Sequence, residues 1–512
     1  MSVIGMAIRL ISAGVVLSGW IWILGPLMAH SADSPAVRGV PPIRHSTATD
    51  HAQSATTRIS ADDFTYLGAF RLPGGEDKPQ TFAYGGSAMT YHPAGDHGGS
   101  GDGFPGSLFI MGHNRQPYGE LPNGNQVAEV TIPRPVQSTN VTALNQAAFL
   151  QGFTDVAAGR FATLVEIPRT GMQYLNTPAT GARIHLAWGQ HLQDGEDTQV
   201  ASHAWFSPTL STPNFQGAWW IGNQSLYSVN GYMMDIPTAW ADSHAGGRPL
   251  ATGRYRDGGW SGMGPALFAY KPWTGSGTPA APGTRLSEEV LLLYAKSNET
   301  ENIEQCLNGY QHADEWEGGA WITTADGRSA VLFAGTKGTG AKYWYGWINP
   351  AGPQYPCVET EFLGQFPLCR LADGSWCPGY PDGDDWAGCS HTSERGWWSS
   401  SFEARFILYD PDDLASVASG AISSWQPQPY ATISINDRLF KNPDGVDIDA
   451  LGTGVQRRYR IGDVAYDRAN NLLYVLELFA DGAKPVVHVW RIGGKGAPRR
   501  SPIGAMQLLL ND

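Results

Sequence analysis

The stretch Gly85-Gly86-Ser87-Ala88-Met89-Thr90-Tyr91-His92-Pro93 decides the fold, because its pattern returns five more times along the chain. Each copy begins with small residues, continues as a short apolar or aromatic run, and ends at a turn containing Pro, Asp, Asn or Gly. The later copies occupy residues 201–208, 264–272, 318–327, 403–411 and 462–471. Several copies lead into a second apolar run, as in Leu472-Leu473-Tyr474-Val475-Leu476.

A strand, a turn and a second strand, repeated at the scale of a domain, indicate a β-propeller. The six copies predict an all-β protein with a single propeller of six blades, or of five if one copy is spurious. Their spacing of 54 to 116 residues is too irregular for WD40 or kelch arrays and favours blades with insertions. A strand at residues 66–72 is expected to pair with the last blade and close the ring.

The composition favours short strands over long helices. Glycine contributes 63 and proline 35 of the 512 residues, and charged residues make up only 16%. Long amphipathic helices need charged residues on their solvated face, so this balance disfavours them. Within a long spacer at residues 134–180, the segment 143–153 is the best candidate for a short helix, and residues 411–415 predict a helical turn.

The N-terminus has the pattern of an export signal. Arg9 precedes an apolar stretch at residues 10–27, and the small residues Ala29 and Ala32 follow it. An uncleaved anchor is the alternative, because the stretch approaches spanning length. Because small residues follow the apolar stretch, we favour cleavage and expect a periplasmic or secreted protein that has no membrane contact afterwards. The predicted organisation is a signal peptide at 1–32, a disordered leader at 33–60, a propeller domain at 61–493 with a cysteine-rich insertion at 350–396, and a C-terminal tail at 494–512.

The five cysteines predict disulfides. Cys357, Cys369, Cys377 and Cys389 lie in or near the one Gly/Pro-rich insertion, where two disulfides would hold a long loop together, and Cys306 is the odd one. Their spacings lack the close C-x₂-C pairs of a zinc site. No cofactor is expected, although the run of acids at residues 382–385 offers oxygen ligands suited to Ca²⁺.

The net charge and the aromatic content bear on the partner. A net charge of −13 repels phosphate backbones, so nucleic acid is not expected as a partner. The 19 Trp and 20 Tyr suit packing between blades, and exposed ones also stack on sugar rings, which favours a glycan substrate. The oligomeric state is left open.

Polar residues just before the inner strands are expected to meet at the mouth of the channel. The predicted substrate-binding residues are Tyr84, His113, His203, Arg254, Arg256, Trp316, Arg405, Arg458 and Arg460. For the two Arg-Tyr-Arg segments, 254–256 and 458–460, the competing interpretation is that they lie at propeller edges and pair with nearby acids. A lone histidine in a turn, such as His113, usually takes no part in a site.

Two chemistries suit such a mouth. Glycoside hydrolysis needs one protonated and one ionised carboxyl group, and Glu317, Glu403 and Asp463 precede or begin three different copies. The alternative for any one of these acids is a solvated turn. β-Elimination from a uronic acid needs a cation beside the sugar carboxylate and a Tyr or His base. Tyr255, in a repeated Arg-Tyr-Arg pattern, is its catalytic candidate.

Over residues 64 to 492, on the six copies quoted above, the chain resembles exported β-propeller proteins in general. Many such propellers are glycosidases or polysaccharide lyases. The resemblance therefore implies an exported carbohydrate-active enzyme that cleaves glycosidic bonds, in the first place a glycoside hydrolase. A polysaccharide lyase and a non-catalytic propeller that binds glycan or protein are the alternatives.

Overall fold

Five sheets of four or more strands surround one axis in the computed structural model of the protein. The described residues all belong to one unit, Ala52–Asp512. They are 58–75, 77–98, 101–113, 124–163, 168–190, 201–224, 226–254, 262–296, 305–311, 313–340, 342–343, 359–363, 366–370, 398–399, 401–441 and 459–493.

The chain starts with β1 (Phe64–Arg71), which belongs to the last blade. Blade 1 contains β2 (Met89–His92), β3 (Ser107–Met111), β4 (Val127–Thr131) and β5 (Phe149–Thr154). Blade 2 contains β6 (Pro168–Thr177), β7 (Gly181–Gln190), β8 (His203–Phe206) and β9 (Gln216–Ile221). Blade 3 contains β10 (Met233–Asp235), β11 (Leu250–Thr252), β12 (Leu267–Tyr270) and β14 (Glu289–Leu292), while β13 (Arg285–Leu286) pairs with β9 in parallel.

Blade 4 contains β15 (Glu315–Thr323), β16 (Ser329–Gly338), β21 (Phe402–Tyr409) and β22 (Ala431–Ser434). Between β16 and β21, β17 (Lys342–Tyr343) pairs with β20 (Trp398–Ser399), and β18 (Glu359–Leu363) pairs with β19 (Phe366–Arg370). Blade 5 contains β23 (Ile461–Asp467), β24 (Leu472–Asp481), β25 (Lys484–Ile492) and β1.

Helices are few and short among the described residues. The α-helices are α1 (Leu226–Val229), α2 (Thr238–His244) and α3 (Pro411–Ala418). The 3₁₀ turns are Ala61–Asp63, Val141–Ala143, Arg160–Thr163 and Asn436–Arg438. The helical turn predicted at residues 411–415 is confirmed as α3, where the Asp410 side chain caps the backbone N–H of Asp412 and Pro411 begins the first turn.

The innermost strands form a closed ring. β2, β6, β10, β15 and β23 contact one another in turn, and β23 contacts β2 again. β1 pairs with β25 in antiparallel register from Phe64–Ile492 to Arg71–Val486, so the first strand completes the last blade. The predicted closure is confirmed. It leaves no unpaired edge on β25, the strand that would otherwise be the outer edge of blade 5.

The prediction of six blades is wrong, since the structure has five. The copies at β2, β15 and β23 are innermost strands, but those at β8, β12 and β21 are the third strands of their blades. In an antiparallel blade the first and third strands run in the same direction, and here both are largely buried, so they share one sequence pattern. Two copies fall in blade 4, which accounts for the extra blade.

The prediction for residues 134–180 is also corrected. The helix expected at residues 143–153 is a strand over part of its length, β5, preceded by the short 3₁₀ turn at Val141–Ala143. The supposed spacer also contains β6, the innermost strand of blade 2. The 350–396 insertion lies between the second and third strands of blade 4, and its described part is the hairpin of β18 and β19. The pair of β17 and β20 lies on either side of it.

Several predictions concern residues outside the described ranges. These are the signal peptide, most of the leader, the C-terminal tail and the acids at 382–385. Cys357, Cys377 and Cys389 lie there too, and the side chain of Cys369 is not described, so the disulfides stay a prediction. Cys306 packs against the core around Tyr294. Over the described ranges, none of the helices has the length and apolar character needed to cross a bilayer.

Small residues mark the places where innermost strands nearly touch. A Cβ added at Gly171 in β6 would lie 2.0 Å from the Gly231 carbonyl oxygen, and one at Gly462 in β23 would lie 2.3 Å from that of Gly86. Real Cβ atoms do not approach carbonyl oxygens so closely, so the backbones would have to separate. The small residues that begin the inner strands therefore follow from the narrowness of the ring.

We predict that Gly171→Ala lowers the free energy of unfolding by about 1–3 kcal/mol or more, because the added methyl group overpacks the axis. Gly152→Ala in β5 is the matched control, since a Cβ there meets nothing within 4 Å. It should change stability by less than about 1 kcal/mol. Urea unfolding of both variants measures the difference, and equal midpoints would contradict this account of the ring.

Candidate functional site

Charged side chains meet at the end of the ring where the innermost strands begin, called here the upper end. We call them the axial cluster: Arg169 of β6, Glu315 and Glu317 of β15, Arg460 just before β23, and Asp463 of β23. Each is at most 7% exposed. Three blades therefore contribute to one buried group of ionisable side chains, as the sequence predicted for Glu317, Arg460 and Asp463.

Both arginines of the axial cluster approach Glu317. Arg169 Nη2 lies 3.7 Å and Arg460 Nη2 lies 3.5 Å from its Oε1. Arg460 Nη2 also lies 2.8 Å from Oε2 of Glu315. The contact between Arg169 and Glu317 joins blades 2 and 4, which are not neighbours in the ring. Two guanidinium groups beside one carboxyl group favour its ionised form.

Asp463 has the opposite surroundings. Burial, and then the nearby charge of Glu317, raise its pKa well above the usual value. Its Oδ2 accepts from the backbone N–H of Met89 and its Oδ1 from that of Val464, both at 2.8 Å, and these bonds partly offset the rise. Burial therefore favours the protonated form of Asp463, whereas the two arginines beside Glu317 favour a carboxylate there.

The lower end of the ring carries a different bridge. Arg468 Nη2 donates to Oδ2 of Asp235 at 2.8 Å, which joins blade 5 to blade 3 across the ring. Its Nη1 donates to the Trp321 carbonyl oxygen and to Thr323 Oγ1. The two ends of the ring thus differ in chemistry, and the pair of carboxyl groups lies at the upper one.

A second group of candidates lies beside the axial cluster, between blades 1 and 5. The ring centroids of Tyr84 and His113 are 5.6 Å apart, and Lys78 Nζ lies 4.9 Å from the centre of the Tyr84 ring. Tyr84 lies two residues before Gly86 in the chain. The Gly86 carbonyl oxygen accepts a hydrogen bond from the backbone N–H of Asp463 at 3.1 Å, and this bond connects the segment to the axial cluster. The sequence placed Tyr84 and His113 at the mouth, and both lie at the upper end.

His203 lies within a blade interface and not on the ring axis. Its Nδ1 is 2.8 Å from Ser202 Oγ and its Nε2 is 3.0 Å from Thr252 Oγ1, so β8 of blade 2 is linked to β11 of blade 3. Burial lowers the pKa of His203 to about 3, which keeps the ring neutral. The reason for the different position is that β8 is a third strand.

Four other candidates are also held in structural positions. Arg254 is buried, and its Nε donates to the Gly264 carbonyl oxygen at 2.8 Å. Trp316 lies between Glu315 and Glu317 on β15 but packs in the core of blades 3 and 4, because neighbouring strand residues point to opposite faces. Glu403 and Arg405 pair with each other on β21, the third strand of blade 4. Tyr255, Arg256 and Arg458 lie outside the described residues.

Arg169 and Lys78 were missed by the sequence interpretation. Arg169 was hidden because residues 134–180 were read as a spacer. Yet Thr170-Gly171-Met172-Gln173-Tyr174 matches Ser87-Ala88-Met89-Thr90-Tyr91 position by position: hydroxyl, small, Met, polar, Tyr. The hydroxyl groups of Ser87 and Thr170 lie 2.8 Å apart, so the match is also structural. This likeness could have identified β6. No comparable signal marks Lys78.

No group of three or more His, Cys, Asp or Glu side chains suited to a metal ion occurs within the described ranges. The described upper end carries carboxyl, guanidinium, imidazole and phenol groups. Neighbouring acids with unlike surroundings are a recurrent feature of catalytic sites.

No family model and no curated protein matches the chain. Among solved structures it is similar to a polysaccharide lyase, an ulvan lyase bound to a saccharide of glucuronic acid and sulfated rhamnose. The TM-score is 0.25 and the identity 10%, over 85% of this chain and 84% of that one. A likeness at this level carries no argument about fold or function.

We predict that Arg460→Met destabilises the protein by about 3–5 kcal/mol, because it removes a guanidinium group that lies beside the buried carboxyl groups of Glu315 and Glu317. Arg405→Met is the matched control, since the Glu403–Arg405 pair is about a quarter exposed. Its cost should stay within about 1 kcal/mol. Urea unfolding measures both, and similar costs would show that the axial cluster does not depend on its charge balance.

We predict that His203 makes the protein sensitive to acid. Its folded-state pKa lies below that of the unfolded chain, so its stabilising contribution is complete above about pH 6.5 and is lost as pH falls towards 3. At pH 4 the loss is about 3 kcal/mol. In His203→Gln the difference in unfolding free energy between pH 7 and pH 4 should shrink by that amount. The exposed His97→Gln should leave it unchanged, and a His203→Gln protein with the full pH dependence would contradict the prediction.

Proposed function

We propose that the protein is an exported carbohydrate-active enzyme that hydrolyses glycosidic bonds at the axial cluster. The observation that carries the proposal is a neighbouring pair of carboxyl groups whose surroundings favour opposite protonation states. Asp463 is held towards its neutral form by burial, and Glu317 lies beside two arginines. Glycoside hydrolysis uses such a pair.

In this proposal Asp463 is the general acid that donates a proton to the glycosidic oxygen. Glu317 is the ionised carboxylate that acts as nucleophile or activates water. Arg169 and Arg460 keep Glu317 ionised and hold its position. Glu403 lies on a third strand, so we assign it no part in the reaction. We assign substrate access to the upper end, because the pair of carboxyl groups lies there and the Arg468–Asp235 bridge occupies the lower end.

Lyase chemistry is the second candidate, and one observation favours it. Burial and then the charge of Lys78 lower the pKa of His113 to about 4, so this histidine is a neutral base beside Tyr84. A neutral histidine and a phenol are the groups that remove a proton next to a carboxylate in β-elimination. The catalytic candidate of the sequence analysis for this reaction, Tyr255, lies outside the described residues.

We predict that Glu317→Gln and Asp463→Asn each lower the rate of glycan hydrolysis by about 10²–10⁴, the range for loss of one acid–base group. Glu403→Gln is the matched control and should keep its rate within about threefold, because the Glu403–Arg405 pair is partly exposed and away from the ring axis. New reducing ends are measured over a panel of neutral and uronic-acid glycans. Urea unfolding of each variant separates lost chemistry from lost folding.

The outcomes exclude one another. Reducing ends that appear together with an unsaturated uronate, detected by its ultraviolet absorbance, would replace hydrolysis by elimination. Binding without cleavage over the whole panel would make the protein a non-catalytic propeller. A folded Asp463→Asn variant that retains full activity would remove Asp463 from the reaction.

A further inference from the structure

We propose that Lys78, Tyr84 and His113 form a subsite for an anionic substituent of the glycan, a carboxylate or a sulfate ester. The inference deepens the proposed function, on which its reference to a glycan rests. The proposed subsite is a small anion-binding pocket at the upper end, lined by an ammonium group, a phenol and an imidazole.

The ammonium group of Lys78 has no carboxylate partner among the described residues. Its side chain is exposed and lies over the Tyr84 ring at 4.9 Å. Lys337 and Lys484, by contrast, each approach an aspartate, Lys337 at 2.9 Å from Asp314 and Lys484 at 3.6 Å from Asp481. In a chain of net charge −13, an unpaired lysine held over an aromatic ring is a cation available to an outside anion.

His113 has buried hydrogen-bonding capacity that the described residues do not use. The residue is 0% exposed, and neither Nδ1 nor Nε2 has a hydrogen-bond partner in the described part of the chain. Burying such a group without a partner destabilises the folded protein, so buried polar groups of this kind are uncommon. Because its pKa is lowered, the ring is neutral and carries one N–H donor. A ligand oxygen would accept that hydrogen.

The backbone around the pocket is held in an unfavourable conformation. Tyr84 has a φ of 58° and Phe479 a φ of 61°, the left-handed region that residues with large side chains rarely adopt. Their rings lie 6.3 Å apart, and the Tyr84 N–H donates to the Ala483 carbonyl oxygen. Such strain persists where the surrounding structure holds a side chain in a required position, and ligand sites are the common case.

The subsite lies next to the axial cluster, where the glycosidic bond is cleaved in the proposed function. Tyr84 is two residues from Gly86, which is hydrogen-bonded to Asp463. In this proposal a glycan bound at the axial cluster also lies beside Lys78 and His113. The ammonium group of Lys78 and the N–H donor of His113 select an acidic sugar unit over a neutral one.

The test is isothermal titration calorimetry of the full chain with sodium glucuronate, with a glucose sulfate ester and with glucose. The wild type should bind at least one of the two anions at least tenfold more tightly than glucose, and the stronger of the two identifies the carboxylate or the sulfate as the source. Lys78→Gln should weaken binding of that anion about tenfold, as expected for loss of one hydrogen bond to a charged group. His113→Phe, which keeps a ring of similar size, should weaken it as well.

Lys271→Gln is the matched control, since Lys271 lies over the Trp273 ring at 5.5 Å in blade 3, away from the pocket. It should bind as the wild type does. Equal affinities for anion and glucose, or equal effects of Lys78→Gln and Lys271→Gln, would overturn the subsite. The proposed function and the subsite can fail separately. Anion binding without hydrolysis would support the subsite and contradict the hydrolase. Hydrolysis of neutral glycans without anion binding would support the hydrolase and contradict the subsite.

Discussion

The structure depends on how closely five innermost strands approach one another around a single axis. At Gly171 and Gly462 the neighbouring backbone leaves no space for a Cβ. Five strands make a narrower ring than six would, and the steric limit is reached where these glycines meet the next strand. Small residues therefore begin these strands, and larger apolar residues fill the wider space between blades, where Tyr232 packs on Phe333 and Phe406 on Trp490.

The same narrowness explains why charges on the axis are buried and paired. A side chain that points inward from β6 reaches β15 two blades away, as the contact between Arg169 and Glu317 shows. Water is largely excluded there, so each charge needs an opposite charge or a changed protonation state. The arginines meet the first requirement for the glutamates, and the raised pKa of Asp463 meets the second. The unlike pair of carboxyl groups is thus a consequence of the ring geometry.

The sequence predicted the class of fold and named three of the five axial residues, and physical reasons set that limit. The pattern of β2 identified strands that are buried on both faces. The first and third strands of a blade are both buried in this way, so the pattern does not tell them apart. His203 and Glu403 were therefore placed two strands too close to the axis. Arg169 was missed because β6 was not recognised. Which strand is innermost depends on contacts between distant segments, such as Gly462 with Gly86, and local pattern does not encode them.

The segment Tyr84-Gly85-Gly86 joins the two parts of the upper end into one site. The Gly86 carbonyl oxygen accepts a hydrogen bond from the backbone N–H of Asp463. The N–H of Gly86 donates to the carbonyl oxygen of Met111 at 3.0 Å, and Met111 is two residues before His113. The N–H of His113 in turn donates to the Thr81 carbonyl oxygen. The backbone that positions the carboxyl pair is therefore the same backbone that holds Tyr84 in its strained conformation. A displacement of this segment would therefore change the position of the Tyr84 ring and of the Asp463 carboxyl group together.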